Sequence, residues 1–201
     1  GALCGDALTN GQENTAVGYA SLSSDTSGSR NIAMGQGALL NQNMGAGSVV
    51  LSYNTALGFQ TATNLTDGKI NTFVGGLSAG GGVVTGSHNV GVGAETLYAL
   101  TSGGSNVVMG YQAGAVGFSA LQLQNVDGDI YNTAVGSFAG QNNIIGASNT
   151  FIGGLAGRNV TGGSNTAVGA AAMDAAVSGA QNTAVGVNCL GAVNGDANSN
   201  T

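Results

Sequence analysis

Side chains able to do acid, base, nucleophilic or metal chemistry are few and scattered in this sequence. It holds one histidine, two cysteines, nine carboxylates and three basic residues among 201. His88 lies in the connector Thr85-Gly86-Ser87-His88, and with one imidazole and dispersed carboxylates neither a catalytic triad nor a zinc site assembles within the chain. It reads as a surface turn residue. Asn125-Val126-Asp127-Gly128-Asp129 sets oxygen ligands around a glycine, but it lacks the distal glutamate of an EF-hand and the nonapeptide period of calcium-binding rolls. It reads as a polar turn. Asp127 and Asp129 are the carboxylates nearest in sequence, and no aromatic sugar platform flanks them as glycoside cleavage would require. Cys4 is placed in a core aliphatic slot and Cys189 in a small slot about ten coils away, on the order of 50 Å apart. A disulfide needs Cα atoms within ~7 Å, so both read as small buried hydrophobes. We expect no catalytic centre, no metal and no cofactor.

Composition narrows the class further. There are 38 glycines and no proline, charged residues make up 6%, and hydrophobic residues still reach 42%. A disordered chain would carry more charge and less aliphatic content, and glycine does not recur at every third position as collagen demands. The net charge is −6, with Arg30, Lys69 and Arg158 far apart, so no basic patch exists to neutralise phosphates and nucleic acid is a poor partner. No apolar run approaches the length of a membrane-spanning helix.

What the sequence does contain is a repeat. A five-residue motif that begins with asparagine and ends with glycine occurs ten times: Asn14 to Gly18, Asn31 to Gly35, Asn54 to Gly58, Asn71 to Gly75, Asn89 to Gly93, Asn106 to Gly110, Asn132 to Gly136, Asn149 to Gly153, Asn165 to Gly169 and Asn182 to Gly186. Successive offsets are 17, 23, 17, 18, 17, 26, 17, 16 and 17. Periods in this range signal a solenoid in which each repeat is one coil stacked on its neighbours. The β-branched motif and the frequent glycines select strand over helix. The predicted fold is therefore all-β, a parallel β-solenoid of about ten to eleven coils forming one domain over 1–201. Both termini fall inside a repeat, so the sequence reads as an excerpt whose coils continue or are capped at either end.

Period 2 assigns the motif positions to two faces. The fourth position is always a large aliphatic (Val17, Met34, Leu57, Val74, Val92, Met109, Val135, Ile152, Val168, Val185) and is expected to be core, together with the second. The third position then faces outward, and Phe73, Val108 and Phe151 there demand cover, which a parallel homotrimer would provide. The motif glycine is expected at a corner that needs positive φ or close approach, and the asparagine in a stacked amide ladder. Three residues beyond the glycine a small side chain recurs, marking a second, tighter strand or a corner.

The two long coils carry insertions that must bulge from a corner. The first holds Asn43 and Met44, and the second holds Phe118, Leu121, Gln122, Leu123 and Asn125, a mixture of aromatic, aliphatic and amide groups suited to binding a receptor or to contacts between copies.

NTAVGYASL at Asn14 to Leu22, and more loosely NTAVGAAAM at Asn165 to Met173, resemble the repeats of bacteriophage tail-fibre and related surface proteins that often end in a self-cleaving chaperone domain of the endosialidase type. They are similar, more distantly, to the head repeats of trimeric autotransporter adhesins. The resemblance covers essentially the whole chain, although the chaperone domain is missing from it. It implies a left-handed β-roll, three chains side by side in a rigid homotrimeric rod, a place in a virion tail fibre or on a cell surface, and attachment to a host cell-surface glycan or protein. The alternative function is ice binding, which uses a flat threonine array. Thr15, Thr55, Thr72, Thr133, Thr150, Thr166 and Thr183 supply such a column, but Ile32, Val90 and Val107 break it, and it is expected to face inward with the aliphatic column.

Overall fold

The computed structural model describes residues 1–113, 131–143, 146–175 and 178–191. Each motif forms one three-residue strand, from the alternation and β-branching just described. In chain order these are β1 (Thr15–Val17), β3 (Ile32–Met34), β5 (Thr55–Leu57), β6 (Thr72–Val74), β7 (Val90–Val92), β8 (Val107–Met109), β9 (Thr133–Val135), β10 (Thr150–Ile152), β11 (Thr166–Val168) and β12 (Thr183–Val185), with two-residue strands β2 (Gly28–Ser29) and β4 (Val50–Leu51) between them. The ten motif strands stack in chain order into one parallel sheet, and β2 pairs with β4 in another. This is a parallel β-solenoid of about nine turns, with no helix among the described residues. Register is kept across both insertions, Ile32 pairing with Thr55 and Val107 with Thr133. The extra residues of the first insertion therefore leave the ladder through its connector, as a packed repeat requires.

Which face of the strand is inside reverses the expectation. Third-position residues are the interior: Ala33, Ala56, Phe73 and Ala167 are fully buried, and Phe151 is 1% exposed. Fourth-position residues lie outside, with Val17 at 52%, Met34 at 43% and Val185 at 68%. The physical reason is the width of the roll. An added Cβ at Gly91, a third-position residue, would stand 3.0 Å from the hydroxyls of Ser78 and Thr96 in the small column and 3.1 Å from the Phe73 ring, so a large side chain enters this column only where its neighbours make room. A column of Val, Met and Leu does not fit there.

Where a phenylalanine does enter, its surroundings shrink to receive it. The interior residue four beyond the motif glycine is Leu22, Leu39 or Met173 in the coils of Ala16, Ala33 and Ala167, Ala62 in the coil of Ala56 that pairs with Phe73, Ala79 in the coil of Phe73, and Gly140 and Gly157 beside Phe151. A Cβ on Gly140 would be 2.9 Å from the Phe151 ring, and one on Gly157 would run into it. Interiors pack to near-constant density, so a large side chain in one column is offset by a small one in the next.

The corner after each strand is made by the motif glycine, whose φ lies between 125° and 137° in all ten copies. That conformation is open only to glycine, and a Cβ on Gly18 would also meet the carbonyl carbon of Gly35 in the next coil at 2.6 Å. Beyond it the chain turns without a second strand, through left-handed residues such as Ala20 and Leu22 or Gln60 and Ala62. The residue just before every ladder asparagine is left-handed as well, including Arg30, Tyr53, Ile70 and His88. Such residues persist only where the surrounding structure over-determines them, and here each is held between stacked coils.

The ladder does that holding. Each motif asparagine from Asn14 through Asn165 accepts, on Oδ1, the backbone N–H of the asparagine one coil on, at 2.8 to 3.1 Å, the last donor being Asn182. Five of these steps add an amide-to-amide bond, such as Asn89 Nδ2 to Asn71 Oδ1 at 3.2 Å. Nδ2 also donates across the coil to a connector carbonyl, Asn71 to Gly86 and Asn165 to Gly179 both at 3.0 Å. One buried amide thus joins coil to coil and closes its own coil, leaving none of its hydrogen-bonding capacity idle in the core.

Candidate interaction surface

With the small column inside, the second and fourth motif positions form the outer face of the ten-stranded sheet. Thr15 is exposed, Thr55, Thr72, Thr133, Thr150, Thr166 and Thr183 are half-buried, and the aliphatic column runs beside them. At ~4.8 Å per strand the stripe is about 43 Å long. Aromatic side chains flank it: Tyr53 and Tyr131 precede their asparagines, while Tyr19, Phe59 and Tyr111 follow their glycines, and all five are exposed. From the residue before the asparagine to the residue after the glycine the chain advances ~20 Å at strand rise. Length and width together give on the order of 800 Å², about the area one partner contributes to a specific protein interface. Within it the apolar surface is the aliphatic column and the flanking rings, interleaved with threonines.

Charge is nearly absent from this face and sits at its border. Arg30 Nε donates to Glu13 Oε2 at 2.7 Å, and its Nη1 donates to the Tyr53 hydroxyl at 2.5 Å, with the guanidinium 5.4 Å from the Tyr53 ring centroid. The Glu13 hydrogen bond, then that of Tyr53, raises the Arg30 pKa above its ordinary value. The trio occupies three successive coils of one column, each residue just before its asparagine. A second ion pair, Arg158 to Asp174 at 3.0 Å, also bridges neighbouring coils.

The residues that could do chemistry stay apart. His88 is exposed in a connector, its backbone N–H bonded to the Lys69 carbonyl at 3.0 Å. Among the described residues no three of His, Cys, Asp and Glu converge on a metal-sized space; Asp127 and Asp129 lie outside those residues. Cys4 stands in the small column, not the aliphatic slot expected for it. Gly1 occupies the corner position below Gly18, which makes Cys4 the counterpart of Ser21, and the Ser21 hydroxyl donates to its sulfur at 3.4 Å. Cys189 occupies the same column, and both cysteines are free.

Of the insertion residues, Asn43 is exposed and Met44 half-buried; Phe118, Leu121, Gln122, Leu123 and Asn125 lie outside the described residues. A feature legible in the sequence but missed there accompanies both insertions. Gly11, Gly28, Gly68, Gly86, Gly103, Gly146, Gly162 and Gly179 each stand three residues before a motif asparagine. A Cβ on Gly86, for example, would be driven into the Gly103 carbonyl oxygen. The two long coils carry Leu51 and Asp129 at that position instead. Extra chain occurs where the second corner glycine is lost.

Comparison with protein-family models, curated proteins and solved structures returned no match. Among the described residues no helix is long and apolar enough to cross a membrane.

Proposed function

We propose that the chain is a structural shaft and adhesive segment of a phage tail fibre or comparable surface fibre, built as a parallel homotrimer and serving attachment to a host cell-surface glycan or protein. The observation that carries this reading is the outward Thr and aliphatic face, ten strands long and nearly free of charge. Its proposed occupant is a second and third copy of this chain. The area matches what a stable contact between copies requires, and the apolar positions repeat at every level, so parallel copies meet like with like along the whole rod. The role is mechanical: ladders along the axis give stiffness, and self-association removes the apolar stripe from water. The left-handed roll and the virion or cell-surface location implied by the resemblance, and the count of ten to eleven coils read from the repeat, belong to this proposal. A lysine in place of Val92, at the middle of the face, should dissociate the assembly into chains that keep their β-sheet circular dichroism. Retention of the full assembly mass by that variant would count against the reading.

Ice binding is the second reading, favoured by one specific observation: the threonine column faces outward, against the expectation that it faced inward. Four successive coils present Thr133, Thr150, Thr166 and Thr183. Thermal hysteresis of a dilute solution separates the two, since a face buried between copies has no contact with ice.

A further inference from the structure

Asp25 is fully buried, with no cationic side chain bonded to its carboxylate. Burying an unpaired carboxylate is costly unless hydrogen bonds replace its water, so the donors around it show what it is for. Two come from its own coil, the N–H groups of Ser27 at 3.3 Å and Gly28 at 3.0 Å, both to Oδ1. The other two come from the start of the first insertion in the next coil: Gln42 Nε2 to Oδ2 at 2.5 Å and Met44 N–H to Oδ1 at 3.2 Å. Gln42 passes the connection upward, its Oε1 accepting from Asn54 Nδ2 at 2.8 Å.

From this anchor the insertion turns back down the stack. The Thr26 hydroxyl donates to the Gly45 carbonyl at 2.7 Å, and Asn10 Nδ2 donates to the Gly47 carbonyl at 2.7 Å. The second bond spans 37 residues, two coils, whereas a ladder bond joins one coil to the next. The segment it reaches is thinly held otherwise: the N–H groups of Thr9, Asn10 and Gly11 and the Thr9 hydroxyl all converge on one acceptor, the Thr26 carbonyl.

We infer that the first insertion is a strap, pinned at its base by the buried carboxylate of Asp25, that ties the coil around Asn10 to the coil two levels above it. In a solenoid each coil's stability depends on its immediate neighbours, and the strap adds a next-neighbour connection at this end of the described stack. Asn43 and Met44 are then parts of a clamp within the chain, and the proposal does not rest on the functional reading above.

Amide hydrogen exchange on the 201-residue chain tests it. Deleting Ala46, Gly47 and Ser48 leaves the Asp25 pin intact and removes the tip of the strap. Exchange at Thr9, Asn10 and Gly11 should then accelerate by about three- to tenfold, the range expected for losing one hydrogen bond, while Gly93 and Gly110 keep their protection. Unchanged exchange at Thr9 to Gly11 overturns the inference. Should the deletion also expose the Gly58 and Gly75 amides, so that the coils themselves have loosened, Asn10→Ala decides: faster exchange at Thr9 and Gly11 supports the strap and an unaltered rate overturns it. Asp25→Asn tests the pin, because an amide nitrogen facing Gln42 Nε2 sets donor against donor. Faster exchange at Met44 together with Thr9 to Gly11 is expected, and loss at Met44 alone would show that pin and strap are uncoupled.

Discussion

Phe151 and Phe59 have the same side chain and opposite fates in this fold. Phe151 fills the interior that Gly140 and Gly157 leave open, whereas Phe59 is 52% exposed beside the outer stripe. Phe151→Ala should therefore cost about 3–5 kcal/mol of unfolding free energy by denaturant titration. Phe59→Ala in a chain kept monomeric should stay within about 0.5 kcal/mol. The first phase assignment, which put Phe151 on the outer face, would instead leave Phe151→Ala near neutral in such a monomeric chain. That assignment failed for a definite reason: alternation in N-T-A-V-G separates two faces without saying which is inside, and a constant aliphatic column looks like a core wherever cores are thick. The correcting signal was present in the small residue three beyond each glycine and in the pairing of Phe73 with Ala79 and Phe151 with Gly157. Glycines divide in the same way. Gly93, at φ 130° and pressed on the Gly110 carbonyl, should not tolerate alanine, whereas a Cβ on Gly76 would meet only the Phe59 carbonyl oxygen, at 3.8 Å. Gly93→Ala should lower the melting temperature sharply and Gly76→Ala by a degree or two at most.

At the level of the coil, the asparagine ladder and the connectors share the work of stacking. Asn89 accepts from Asn106 N–H and Nδ2 and donates to Asn71 Oδ1 and the Gly103 carbonyl, so Asn89→Ala strips partners from buried groups in two neighbouring coils. A cost of about 2–4 kcal/mol is expected, above that of one average hydrogen bond, because buried donors and acceptors are left unpaired. Lys69 offers trypsin a site in a connector whose N–H is held by the Ser87 hydroxyl at 2.9 Å and whose carbonyl accepts from His88. Native digestion there should be slow and should track global unfolding; rapid cleavage in buffer would mean that this coil is not stacked. Much of this level was legible in the sequence, since fixed asparagine and glycine positions at a near-constant offset admit little besides a ladder and a corner. The left-handed residues before each asparagine were not, because Glu13, Arg30, Tyr53 and Ile70 have no side-chain type that announces such a conformation. Stacking imposes it on them.

Across the whole molecule, the inward column of the sheet is mostly alanine, larger residues such as Leu22, Leu39 and Leu65 fill the interior beside it, and the regular aliphatic column of the fourth motif position lies on the outer face. A regular aliphatic column on the outer face leaves apolar surface for a partner to cover, and the proposed contact between copies places it there. The repeat period announced the rod, but the site stayed hidden until the phase of the strands was known. The test is the molar mass in solution, by sedimentation equilibrium over a wide concentration range. A trimer predicts three times the chain mass for the unmodified protein, and one chain mass for Val92→Lys at the same concentrations. A single, soluble chain mass for the unmodified protein throughout the range would contradict it.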